Sequence, residues 1–366
     1  MKRFINFLFM FFLTITSVFA NIESNVLPSQ LGKVLSVDFI ESEDSFVQAK
    51  QLVTVKLLEG EFKNDLIVLD NILTGNPYYD IKLREGMNVV LHVEEDGNEV
   101  IYTIENIHRS NVLVCLALIF ATLLCIVGRK KGLYSIISIL ITGVLIFTVL
   151  TPLILWGINP ILATILLCIM SSAITMYLVG GFNKKSSSAL LGTILSLIFA
   201  GCISYITVKV AHLNGICDEH SMFLYTAHPE LDFVSITISA IILATLGAVM
   251  DVGMSIASTI NEIYSIDNNK TFKELFISGM NVGKDIIGTM ANTLILVYFG
   301  TTLPLILLAS NIDIQKFINL NQVVTEISSA LIGSIAIVIC VPITAFVASK
   351  FVIKRDNKID FSNLIE

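Results

Sequence analysis

From residue 110 onward the chain consists of apolar stretches that each approach 20 residues, and this repetition limits the fold more than any other feature. The stretches fall at about 111–128, 133–155, 160–179, 187–208, 232–252, 286–308 and 329–349. About 20 residues of helix cross the hydrocarbon core of a bilayer, and a segment in lipid must close its backbone hydrogen bonds on itself. An α-helical polytopic membrane protein with about seven transmembrane helices, over residues 109–350, is therefore expected. Composition agrees: 54% of the 366 residues are hydrophobic and only 14% are charged, where a soluble domain carries about 25%.

The first 108 residues have a different character. Lys2 and Arg3 precede an apolar run from Phe4 to Ile15, and Val18-Phe19-Ala20 ends with small residues where a signal peptidase cuts. Residues 1–20 read as a signal peptide, or as an extra anchor if uncleaved. In either case residues 21–108 lie outside the cytoplasm. The short runs VLSVDFI, LVTVKLL, DLIVLDNIL, NVVLHVE and VIYTI are rich in β-branched residues. Gly60, Gly75-Asn76-Pro77, Gly86 and Asp96-Gly97 separate them as turn signals. Five strands in so short a span point to a small β-barrel-like domain, of the OB or SH3-like type. It contains no cysteine and sixteen acidic residues against six Lys and Arg, so it folds without disulfides. No basic surface suits nucleic acid.

Charge fixes the expected orientation. With the β domain outside, the inner segments (Arg129-Lys130-Lys131, Lys184-Lys185, 264–284, and the end from Lys350) carry twelve Lys and Arg, and the outer loops between spans carry Lys209 and Lys316. That is the positive-inside pattern, with the 351–366 tail in the cytoplasm. Within 264–284, Thr271 and Glu274 form a capping box ahead of Phe272, Leu275, Phe276 and Met280. This predicts an amphipathic helix at about 271–283 along the inner membrane face. Residues 312–327 are expected to lie similarly along the outer face.

Two polar stripes interrupt the late spans. Asp251, Ser255, Ser258 and Glu262 are spaced 4, 3 and 4, which keeps the last three within about 40° of Asp251 on a helix. Asn281, Asp285, Thr289 and Asn292 repeat the pattern at 4, 4 and 3. Facing lipid, such groups cost several kcal/mol; facing each other or a wet cavity, they do not. Gly247, Gly253, Gly283 and Gly288 flank them and permit close helix approach or a helix break. Both carboxylates lie near the inner boundary. Three readings compete: a packing seam, a vestibule where Asp251 and Asp285 hold a cation or proton, and a catalytic carboxylate pair. The last resembles intramembrane aspartyl proteases, but those place the second Asp after Gly-x-Gly, whereas Asp285 follows Val282-Gly283-Lys284.

The outer loop 209–232 holds metal-capable residues, among them His212, His220 and His228. No two of its histidines have the i,i+4 spacing of a metal site and it holds no C-x-x-C, so the loop reads as solvated and acidic. Walker, GxSxG and HExxH motifs are missing from the sequence. No cofactor is expected, and an enzyme is the less favoured class.

Several stretches resemble the YibE/F family of bacterial multi-pass membrane proteins: VTVKLLEGEFKNDLIVLDNILTGNPYYD (53–80), GGFNKKS (180–186), GAVMDVGMSIASTINEI (247–263) and TFKELFISGMNVGKDIIGTMANTLILVYFG (271–300). The resemblance implies a protein of the bacterial cytoplasmic membrane with an extracytoplasmic β domain, and adds no substrate. The expected function is a transporter or permease for a small solute or ion, proton- or cation-coupled through Asp251 and Asp285. The alternatives are an envelope assembly or signalling protein that binds a protein partner through its β domain, and a membrane-embedded hydrolase.

Overall fold

The structure is a computed structural model that describes residues 29–41, 49–60, 62–96 and 99–353. The expected signal segment and most of the tail lie outside the described residues. The chain divides into two units after Leu123.

The first unit contains strands β1 (Gln30–Glu41), β2 (Ala49–Leu57), β3 (Leu66–Leu73), β4 (Asn88–Asp96) and β5 (Glu99–Ile107). They pair antiparallel in the order β3-β2-β1-β4-β5, and the edges β3 and β5 approach to leave a nearly closed barrel. Of the two expected barrel types this is the OB-type connectivity, in which the chain crosses from one edge to the other side between β3 and β4. Alternation sets the interior: Val53, Val55 and Leu57 of β2 meet Val34, Val89 and Leu91. Register shifts between Val34 and Ser36 and between Val90 and Leu91 supply curvature. Buried Gln51 completes the wall where no strand lies. Its Nε2 donates to the Leu83 carbonyl at 3.1 Å, and its Oε1 accepts from the Leu83 N–H at 3.1 Å and from Asn71 at 2.8 Å.

Helix α1 (Ser110–Leu145) follows β5 after two residues and runs into a π-helical turn and α2 (Thr151–Leu155). A straight helix of these 46 residues would be about 70 Å long, over twice the hydrocarbon thickness. It is not straight. Arg129 has φ 47° and ψ −126°, which breaks the helix inside the expected Arg-Lys-Lys loop. With the break counted, the six long apolar helices among the described residues provide seven segments. The remaining helices are α3 (Pro160–Gly180), α4 (Lys184–Val210), α5 (Glu219–Ala227), α6 (Phe233–Ile266), α7 (Phe272–Thr301), α8 (Leu303–Leu308), α9 (Ile314–Ile318) and α10 (Asn321–Ile353).

Helices α4, α6 and α10 form the centre of the second unit, α3 packs on α4 and α6, and α7 leans mainly on α10. Glycines allow the approach. Gly192 sits against Thr344, Gly253 against Thr193, Ala189 and Cys340, and Gly283 against Val341. Gly247 and Gly288 face open space. Helices α6 and α7 run unbroken through all four of the flanking glycines, so none marks a helix break here.

Three expected boundaries change. The amphipathic 271–283 segment is not a separate helix but the start of α7, because its Thr271 cap opens a helix that nothing stops before Thr302. Helix α6 continues past 252 to Ile266, and α10 starts at Asn321 rather than 329. Polar residues at these ends keep helical backbone once neighbouring turns are formed, so hydropathy alone underestimates helix length.

A testable consequence concerns packing. A leucine at position 283 must displace Val341, and such overpacking costs about 1–3 kcal/mol. Thermal unfolding of the detergent-solubilised protein should show a clear loss for Gly283→Leu, with Gly288→Ala at the open position close to the parent.

Candidate functional site

Helix α6 begins at Asp232, whose Oδ1 accepts from the Ser235 N–H at 3.1 Å. One face is buried against α4 and α10 through Val249, Val252, Gly253, Ile256, Ala257 and Ile260. The opposite face carries the stripe. Asp251, Ser255 and Glu262 are exposed and Ser258 is half-buried. Helix α7 repeats the arrangement: Leu275, Gly279 and Gly283 are buried, while Asn281, Asp285, Thr289 and Asn292 are all exposed. Among the described residues no hydrogen bond or ion pair joins one stripe to the other. Thr289 turns its hydroxyl to the Ile286 carbonyl at 3.1 Å. Each stripe is therefore a coherent polar face, and both remain uncovered in the single chain.

A groove of about 390 Å³ lies beside the first stripe, where α1, α3 and α6 meet. Ser135, Ser138 and Thr142 of α1 and Ser171 and Thr175 of α3 line it, with Gly247 and Met250 of α6. Ser138 pairs with Thr175 at 2.6 Å and Thr142 with Ser171 at 2.9 Å. Asp251 follows Met250 directly and stands one helical turn from Gly247. The groove thus provides hydroxyls beside the turn of α6 that precedes Asp251, which is itself outside the lining.

Sequence reasoning missed a second polar set, buried between α4, α6 and α10. Thr193, Ser196, Thr344 and Ser349 are fully buried with Cys340. Ser196 bonds its own helix at the Gly192 carbonyl, 2.7 Å away, whereas Thr193 and Ser349 hydroxyls have no partner. The available signal was the recurrence of small residues, Ala189, Thr193, Ser196, Ala200 and Ser204, at helical spacing. Glu326 was also missed. It lines a small apolar pocket with Tyr298, Phe299 and Phe317.

Capping orders part of the loop 209–232. Asp218 Oδ1 accepts from the Ser221 N–H at 2.8 Å, and the Ser221 hydroxyl accepts from the Asp218 N–H at 3.0 Å, a reciprocal box that starts α5. His228 pairs with Glu230 at 3.0 Å. His212, His220 and His228 are not gathered: among the described residues no group of three or more His, Cys, Asp or Glu could hold a metal.

In the barrel, the 74–80 turn is locked by one carboxylate. Asp80 accepts from the Thr74 N–H at 2.7 Å, the Thr74 hydroxyl at 2.9 Å and the Gly75 N–H at 2.8 Å. Tyr78 and Tyr79, edge to face at 4.8 Å, stand 68% and 66% exposed on it. β3 ends at Leu73 opposite Ala49, the start of β2, whereas β5 ends at Ile107 on the level of Val89, Gly32 and Leu57, the end of β2. The tyrosine turn is therefore at the pole away from the start of α1.

The hydrogen bonds from Ser221, opposed by partial burial, hold the Asp218 carboxyl below its ordinary value of 3.8. A depressed folded pKa means that this stabilisation is complete above the unfolded value and is lost as pH falls through the folded one. Exchange protection of the Ser221 amide should therefore hold at pH 4 and fade only below about 3.8; in Asp218→Asn, the residual protection should show no such pH dependence.

Two family models match the chain: YibE/F-like protein over residues 116–354 and YibE/F family N-terminal domain over residues 29–107. No curated protein and no solved structure matches it.

Proposed function

The chain belongs to the YibE/F family, and from that premise and the geometry above we propose that this multi-pass membrane protein is a permease for a small solute or ion. One observation carries the reading. In helices long enough to span a bilayer, the α6 and α7 stripes leave Asp251, Ser255, Asn281, Asp285, Thr289 and Asn292 uncovered. Polar groups on a spanning helix, even near its inner boundary, are retained where they meet water, an ion or a polar neighbour. Asp251 and Asp285 supply the changeable charge, the hydroxyls and amides supply ligands, and the Ser/Thr groove beside Asp251 extends the polar path. The barrel is outside and the C-terminus inside, in line with the distribution of lysines and arginines.

The test is water access. Single cysteines at positions 255 and 289, in a background without native cysteines, are labelled with a membrane-impermeant thiol reagent from each side. A permease gives labelling from both sides under different conditions, and Asp251→Asn with Asp285→Asn removes a phenotype of the gene at equal protein level. Failure of both reagents to reach either position in inserted, folded protein leaves the stripes as packing seams and ends the reading.

The tyrosine turn favours a second reading, in which the barrel binds a protein partner outside the cell. Rigid exposed tyrosines contribute strongly to interfaces. If the barrel acts this way, Tyr78→Ala with Tyr79→Ala abolishes the phenotype while insertion and thermal stability stay normal. If the phenotype survives, even when residues 25–105 are deleted behind an intact signal, the function resides in the helices.

A further inference from the structure

The GGFNKKS loop between α3 and α4 takes no part in the stripes, yet it is built to hold one conformation. Gly181 has φ +80°, a value that favours glycine. The Phe182 ring stacks on Tyr177 with centroids 4.7 Å apart and planes 8° from parallel, and the Tyr177 hydroxyl pairs with Ser187 at 3.1 Å. Asn183 closes the turn twice: its Nδ2 donates to the Gly180 carbonyl at 2.6 Å, and its Oδ1 accepts from the Ser186 N–H at 2.8 Å.

This fixed loop delivers Lys184 to a cavity of about 330 Å³, where the start of α4 meets the ends of α6 and α10. Asn261, Tyr264, Ser265 and Asn268 form the other polar walls. Among the described residues Lys184 is the only charged one in the lining, and no carboxylate pairs with it. A cation without a counter-ion among the described residues, faced by amides that can donate and with no carboxylate in the described lining, suits an anion with several acceptor oxygens. The volume is at the lower end of small-ligand sites, about 300–1,000 Å³.

We propose that this cavity binds a phosphate-bearing anion, with Lys184 as its charge partner and Asn261 and Asn268 as neutral donors. The same chemistry is offered by the headgroup of an anionic phospholipid and by a soluble phosphate. The site does not depend on the permease reading, since it shares no residue with either stripe.

The test uses the purified full-length protein in neutral detergent. Thermal unfolding is followed against inorganic phosphate at constant ionic strength set with chloride, and separately against phosphatidylglycerol, with native mass spectrometry to count retained lipid. Saturable stabilisation is expected in at least one arm. Half-saturation should weaken roughly tenfold or more in Lys184→Ala, since a charged hydrogen-bond partner is removed. Asn268→Ala should weaken it less, and Lys130→Ala, at a lysine outside the cavity, should not change it. Saturation by phosphate alone identifies a soluble ligand; saturation by the lipid alone, with one molecule retained, identifies a headgroup. If Lys184→Ala does not fold, Lys184→Arg and Asn268→Ala provide the comparison. The proposal is overturned if neither arm saturates above the chloride control, or if Lys130→Ala weakens binding as much as the cavity variants do.

Discussion

Close approach of α4, α6 and α10 is the constraint on which the rest of the second unit depends. Lipid tails are as apolar as leucine, so burial of aliphatic side chains gives helices little reason to associate inside a bilayer. Dispersion between well-packed surfaces takes over, and it needs backbones near one another. Gly192 under Thr344, Gly253 under Thr193 and Ala189, and Gly283 under Val341 provide that nearness. Helix α7 is tied to α10 and α6 around Gly279 and Gly283 and again where its Leu294 meets Gly333 of α10, while Gly288 between them faces open space. The exposure of the α7 stripe follows from this one-sided attachment.

The same packing sorts the polar groups by cost. A hydroxyl can return its hydrogen to a carbonyl one turn back, as Ser196, Ser204 and Thr245 do at 2.7–2.8 Å, so it enters the helix core cheaply. A carboxylate has no such recourse and loses several kcal/mol when it is buried without a partner. Hydroxyls accordingly fill the α4–α6–α10 interior, and Asp251, Glu262 and Asp285 stay on uncovered faces. Thr193 and Ser349 depart from the rule, buried with hydroxyls unbonded. Thr164 and Ser172 of α3 and Ser186 of α4 share this state.

This sorting explains what the sequence could disclose. The strands of the barrel were legible because one face of each is buried, which forces alternation; in β2 it runs without a fault from Gln51 to Leu57. Gln51 itself breaks the apolar rule, and its role became visible only when Leu83, distant in sequence, was placed beside it. The α6 and α7 stripes were legible as helical periodicity, but what they face was not, since periodicity says nothing about neighbours. The hydroxyl seam was hidden because serine and threonine scattered in apolar runs look like tolerated exceptions. The continuity of α7 was hidden because its polar first turns and apolar later ones resemble two elements when only hydropathy is compared. The break at Arg129 shows the converse. Three consecutive basic residues marked it clearly, as charge in mid-span has nowhere to go but out.

The junction between barrel and helix has a mechanical implication. Only His108 and Arg109 separate β5 from α1. The His108 N–H donates to the Asn88 carbonyl at 2.8 Å, and the Arg109 guanidinium donates to Asn106 at 2.8 Å. A two-residue connection fixed by two hydrogen bonds has little slack, so the start of α1 is bound to follow the end of β5. The tyrosine turn sits at the other pole, and the antiparallel ladder from β3 to β5 is continuous between the two. A force applied at the turn therefore has a hydrogen-bonded route to the start of α1.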